Sequence, residues 1–130
     1  MRTIPGCLLS LLLAGCVAGP PGPFDPVPGD GDWRLVAMNG RPFAARATLR
    51  FETTWRIAGH SPCNLYSAKL TAPPPDFTLV ELTATEMACP ELDAEGPFFE
   101  TLLLMTHSET AGDTLTMTGP AGRSMVFRRP

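Results

Sequence analysis

Cys63-Asn64-Leu65-Tyr66 and Thr85-Glu86-Met87-Ala88-Cys89 are the two stretches from which the rest of the sequence is best read. Each carries one cysteine, and no other cysteine follows position 16. On the N-terminal side of the first stretch, apolar residues fall at every second position. Trp33, Leu35 and Ala37 alternate with Arg34, Val36 and Met38. Ala47, Leu49 and Phe51 alternate with Thr48, Arg50 and Glu52. A period of two marks strands with one buried and one wet face. Trp55 and Ile57 continue the pattern up to Gly59, and Asn39-Gly40 is a strong hairpin signal. After Cys63, Tyr66, Ala68 and Leu70 share one face, opposite Ser67 and Lys69.

Between the two stretches, Pro73-Pro74-Pro75 breaks any ladder. The segment Phe77 to Leu82 is apolar on both faces, which suggests a central strand. Beyond Cys89 the period changes to that of a helix. Phe98/Leu102/Met105 and Phe99/Leu103 form adjacent stripes, with Glu91, Asp93 and Glu95 near the start, where acids suit the dipole. Gly96-Pro97 suits a helix beginning. The spacing predicts a helix over 94–106, with Glu100, Thr101 and Thr106 on its wet side. Gly112-Asp113 is a turn, Leu115 and Met117 alternate with threonines, and Gly119-Pro120-Ala121-Gly122 leads into a last strand carrying Met125 and Phe127. Residues 32–130 therefore read as one α+β domain. About 7–8 short antiparallel strands form a curved sheet, and the helix covers one face or mouth.

The N-terminal segment has a different character. Residues 1–15 pair Arg2 with a short leucine-rich run, well below the ~20 apolar residues of a membrane span. The run ends in Leu12-Leu13-Ala14-Gly15-Cys16, which resembles a bacterial lipobox. That resemblance implies transfer of a diacylglycerol to Cys16 and cleavage just before it, with palmitate among the acyl chains of the anchor. Val17 stands where inner-membrane lipoproteins carry Asp, which implies an outer-membrane lipoprotein facing the periplasm. Residues 16–31 are a Pro/Gly-rich tether, at most ~45 Å long as polyproline II.

Three pieces of the remainder resemble the META domain family of HslJ-like proteins: Trp33-Arg34-Leu35, Gly59-His60-Ser61-Pro62-Cys63-Asn64-Leu65-Tyr66, and Thr85-Glu86-Met87-Ala88-Cys89 followed by Glu95, Phe98 and Leu102. Asn64, Tyr66, Thr85 and Met87 are the motif residues. Pro62 and Ala68 replace glycines common in the family. The resemblance implies a sheet curved like a half-open barrel with a packed helix. It also implies a non-catalytic role in envelope stress or integrity, and a shape similar to pilotin lipoproteins.

Three readings of Cys63 and Cys89 stand side by side. They are a disulfide, two buried thiols, or half of a metal or redox site. Export to an oxidising compartment favours the disulfide. A metal would need further ligands, and the only histidines are His60 and His107. Asn64 reads as a turn-former through its own side chain. Glu86, Glu91, Asp93, Glu95 and Glu100 read as a helix start and wet face. No nucleophile elbow, phosphate loop, zincin or dinucleotide motif occurs. The expectation is therefore a protein without enzymatic activity, metal or cofactor, acting by binding an envelope protein. With a net charge of −3 and no long basic run, nucleic acid is not an expected partner. Three other activities fit the same residues: a pilotin-like chaperone with an apolar groove for a peptide or acyl chain, a protease inhibitor acting through Pro73-Pro74-Pro75, and a small hydrolase.

Overall fold

The computed structural model describes residues 31–130. The signal segment, Cys16 and all but the last residue of the tether lie outside the described residues. The elements in chain order are β1 (Trp33–Met38), β2 (Arg41–Pro42), β3 (Thr48–Thr53), β4 (Arg56–His60), β5 (Leu65–Leu70), β6 (Leu79–Ala84), α1 (Leu92–Leu104), β7 (His107–Ala111), β8 (Thr114–Thr118) and β9 (Ser124–Arg128). The strands form one antiparallel sheet in the order β6-β5-β4-β3-β1-β9-β8-β7, with β2 paired to β1. Asn39 and Gly40 both take positive φ (52 and 77), the backbone of a two-residue type I′ turn.

The sheet curls until its two edges touch without forming a shared ladder. Phe77 N–H donates to the Thr106 carbonyl at 2.9 Å, and Ser108 N–H donates to the Pro75 carbonyl at 2.7 Å. A single bridge, Asp76 to His107, joins the edges there. The sheet is therefore open, and α1 seals its interior. Trp33, Leu35, Leu49, Ile57, Phe77, Leu115, Met117, Met125 and Phe127 point inward and are fully buried, together with Phe98 and Leu102 of α1 and Met105 just after it. Each such side chain contributes about 1.5–3 kcal/mol when removed from water. Tyr66 meets Phe98 and Phe99 edge-on, each with centroids 5.6 Å away, and those two rings lie 5.3 Å from each other, so the three form one aromatic cluster. At Gly59 the strands come so close that any Cβ would strike the Thr48 backbone carbonyl.

The α+β class, the curved open sheet and the single main helix agree with the sequence reading. Several local expectations need correction. The strand expected to be central is β6, and it lies at a sheet edge, with Val80 exposed and Leu82 half-buried. Its apolar residues cover the flank of the sheet rather than its middle. Trp55 is not the first residue of a strand. It sits in the β3–β4 turn and is 41% exposed. The helix begins at Leu92, not beside Gly96-Pro97, so Pro97 lies inside it. Its buried face is Glu95, Phe98, Thr101 and Leu102, while Leu103 is 50% exposed. Thr101 and Leu103 thus exchange the roles expected of them. Residues 107–111, unassigned from sequence, form β7 in full register with β8.

Candidate functional site

The two motif stretches meet at one end of β5. A turn over Ser61–Asn64 leads into that strand. Ser61 N–H and its hydroxyl both donate to the Asn64 carbonyl at 2.8 Å, and Asn64 N–H donates to Ser61 Oγ at 3.0 Å. Ser61 therefore closes the turn, which corrects the expectation that the Asn64 side chain does so. That amide is buried and crosses the chain instead. Its Oδ1 accepts from Thr85 Oγ1 at 2.9 Å and from Met87 N–H at 2.6 Å. Its Nδ2 donates to Glu95 Oε1 at 2.8 Å, with a longer contact to the Met87 carbonyl at 3.4 Å.

Glu95 completes the junction. Its second oxygen, Oε2, accepts from Cys63 N–H at 2.9 Å. The carboxylate is buried (7% exposed), contrary to its expected place on the wet face. A carboxylate removed from water needs such donors, since burial without them is costly. Thr85 is equally committed, because its Oγ1 also accepts from Leu65 N–H at 3.1 Å and its N–H donates to the Leu65 carbonyl at 3.0 Å. Met87 contributes through its backbone, and its side chain is 55% exposed.

Cys63 and Cys89 are joined in a disulfide, with Cα atoms 5.7 Å apart. Of the three readings of this pair, the structure takes the first. The bond fixes the segment that follows β6 to the turn that precedes β5. Tyr66, the last residue of the first stretch, points inward and donates its hydroxyl to the Thr48 carbonyl at 2.8 Å. Burial pushes its pKa far above the ordinary tyrosine value.

The polar atoms of the motif thus meet one another and the backbone. Among the described residues, no group of three His, Cys, Asp or Glu side chains is placed to hold a metal ion. His60 is half-buried at the end of β4, and His107 stands at the start of β7 beside Glu109. Pro73-Pro74-Pro75 is pinned to β7 through the Pro75 carbonyl. An open groove of about 800 Å³ runs past the junction between the Pro42–Arg46 segment, Pro62 and the start of α1 at Pro90–Ala94. On the other side of the disulfide, Ala84, Met87, Ala88 and Leu92 form a shallow apolar surface over Asn64 and Glu95. Ser61 and Glu95 stand in the stretches that carry the family resemblance, but sequence reasoning gave neither its role at the junction. The place of Glu95 in the first turn of a helix that starts just after Cys89 is a signal that could have directed it back at the junction.

Comparison with known proteins places this architecture. No curated protein matches the chain. A solved NMR structure of a protein from Burkholderia xenovorans is similar over 90% of this chain and 96% of its own, with 23% identity and a TM-score of 0.63. A second NMR structure covers 75% of this chain and 86% of its own, at 21% identity and a TM-score of 0.57. Both likenesses concern the fold. The META domain model matches residues 26–130, which takes in every strand, the helix and both halves of the junction, and the chain belongs to the META domain family.

Proposed function

We propose that this META domain is a non-catalytic, lipid-anchored envelope protein that acts by presenting a binding surface to another envelope protein. One observation carries the reading. The motif's buried polar atoms are used to hold a shape, since both ends of the Asn64 amide and both Glu95 oxygens have partners within the fold. What they hold is the exposed stretch from Ala84 to Leu92, whose Met87 and Leu92 side chains stand in solvent (55% and 45% exposed). A junction of that kind suits recognition of a surface, not turnover. Phe98, Leu102 and Met105 fill the space beneath the helix, so a pilotin-like reading would use the open groove beside its start, between Pro42–Arg46, Pro62 and Pro90–Ala94. The anchor is Cys16, and the setting is the periplasmic face of the outer membrane with a role in envelope stress or integrity.

The test has two parts. Fatty-acid labelling should mark the wild-type protein and miss Cys16→Ala. A photo-crosslinker at Met87 should capture one defined envelope protein in living cells, whereas the same group at Val36, on β1, should not. Equal capture from both positions, or none from Met87, refutes the binding role.

A further inference from the structure

The charges of this domain are unevenly placed along the sequence. Every described lysine and arginine lies outside residues 70–122, while most of the chain's 13 acidic residues lie inside that range. The fold gathers five of these cations on one face, where Asp32, Glu52 and Glu81 offset some of them, while Arg46 lies beside Glu91 and Asp93 at the groove. Arg34, Arg50, Arg56, Lys69 and Arg128 sit on β1, β3, β4, β5 and β9, which are consecutive strands of the sheet. All five are exposed and alternate with or adjoin buried residues, so they project from the outer face. The acids of that range belong to β6, α1, β7, the loops that join them, the β5–β6 loop (Asp76) and the β7–β8 turn (Asp113).

Four of these cations face one another in two pairs across the sheet. Arg34 and Arg128 stand directly opposite each other on β1 and β9, and Arg56 stands directly opposite Lys69 on β4 and β5. Like charges facing each other across a ladder are destabilising. Lys69 is offset by Glu81, and Arg50 by Asp32 and Glu52. Among the described residues no carboxylate pairs with Arg34 or Arg128. Between the two pairs lies the point where the tether enters, at Asp32, and the half-exposed Trp55 adjoins Arg56. Cationic side chains flanked by an exposed tryptophan suit a phospholipid headgroup layer, where the cations meet phosphates and the indole sits at the interface.

We propose that this basic outer face rests on the anionic phospholipid headgroups of the membrane that anchors the chain. The inference rests on the lipid anchor for its setting, since a tether of at most ~45 Å keeps this face close to the headgroups. A second copy offers the complementary acidic side. That contact would join unlike faces head to tail and would not close into a finite assembly, so the membrane is the occupant we favour.

The experiment uses the full chain with vesicles of phosphatidylcholine alone or mixed with phosphatidylglycerol. Flotation at high salt reports the anchor. At low salt, quenching of tryptophan fluorescence by a headgroup nitroxide lipid reports the face, because Trp33 is buried and Trp55 is not. The expected result is stronger quenching with phosphatidylglycerol, abolished by salt. Arg34→Gln with Arg128→Gln should weaken this preference about fivefold for each arginine removed. Both positions are exposed, and urea unfolding checks that the fold is kept. An unanchored chain that still prefers phosphatidylglycerol refutes the anchor alone. A chain that floats but shows no such preference refutes the basic face alone. A face that binds soluble polyglutamate but not the vesicles, or salt-sensitive self-association without lipid, overturns the proposal in favour of an acidic protein or a second copy.

Discussion

Asn64 is the residue whose replacement tests the junction most directly. Asn64→Ala removes two neutral hydrogen bonds, from Thr85 Oγ1 and Met87 N–H, and one to a carboxylate, Glu95. Neutral bonds contribute about 1 kcal/mol each and a charged one about 1.5–3 kcal/mol. The expected loss is therefore about 3–5 kcal/mol, a large share of the ~5–15 kcal/mol that holds a domain together. Asn64→Asp is more informative, because it keeps an oxygen in the place of Oδ1 but sets a second carboxylate against Glu95. Like charges at that distance cannot both ionise cheaply. Glu95→Gln alone costs less, since the one oxygen it keeps can still accept from Cys63 N–H or from Asn64, but not both. Combined, the two changes restore the pattern with its polarity exchanged. The carboxylate introduced at position 64 accepts from the amide introduced at position 95, and the oxygen of that amide accepts from Cys63 N–H. The double variant should be more stable than Asn64→Asp, with a coupling of about 2 kcal/mol or more. Urea unfolding followed by the fluorescence of buried Trp33, with the disulfide intact, gives all four corners. Additive losses would show that the Asn64–Glu95 contact does not hold the junction.

Three further outcomes follow from the packing. Leu102→Ala should lose about 2–5 kcal/mol through the cavity it leaves, while Leu103→Ala, at a half-exposed site, should stay within about 0.5 kcal/mol in the same urea assay; equal losses would contradict the orientation of α1. Reduction of Cys63–Cys89 should cost roughly 3–4 kcal/mol and lower the Tm by about ten degrees or more, and an unchanged Tm in calorimetry would remove the disulfide from the stability of the fold. Tyr66 has a raised pKa in the folded state, so its stabilisation is fully present below the ordinary tyrosine value of about 10 and is lost as pH rises above it; absorbance titration of this sole tyrosine should show ionisation only with alkaline unfolding, and reversible ionisation near pH 10 in the folded protein would refute its burial.

The sequence revealed what depends on local period and concealed what depends on distant partners. β1, β3, β5, β8 and β9 alternate plainly because each has one face in the core and one in water. β7, His-Ser-Glu-Thr-Ala, buries only Ser108 and owes its existence to pairing with β8, so no apolar pattern announces it. The edge position of β6 is a matter of sheet order, to which its own residues are blind. Glu95 reads locally as a first-turn acid favoured by the helix dipole. Only the approach of Cys63 and Asn64, more than thirty positions earlier, gives it a buried role. The junction was legible as a set of residues but not as a network, because the partners of an amide cannot be read from its neighbours.

The fold places the two proposed surfaces at opposite ends of one strand. β5 starts at Leu65, beside the Asn64–Glu95 junction and the disulfide, and reaches the Arg56–Lys69 pair near its other end. Four residues of strand separate the two by roughly 13 Å. With the basic face on the headgroups, the Met87–Leu92 surface stands off the membrane on the side from which a soluble or membrane-bound partner can reach it. The distance also makes the two functions separable, since substitutions more than ~7–10 Å apart without shared partners act independently. Arg34→Gln with Arg128→Gln should therefore leave crosslinking from Met87 intact once the chain is anchored, and a Met87 or Leu92 substitution should leave the lipid preference unchanged. A lipid-facing change that abolished partner capture in an anchored, folded protein would mean that the membrane orients the partner surface, which would make the two surfaces one device.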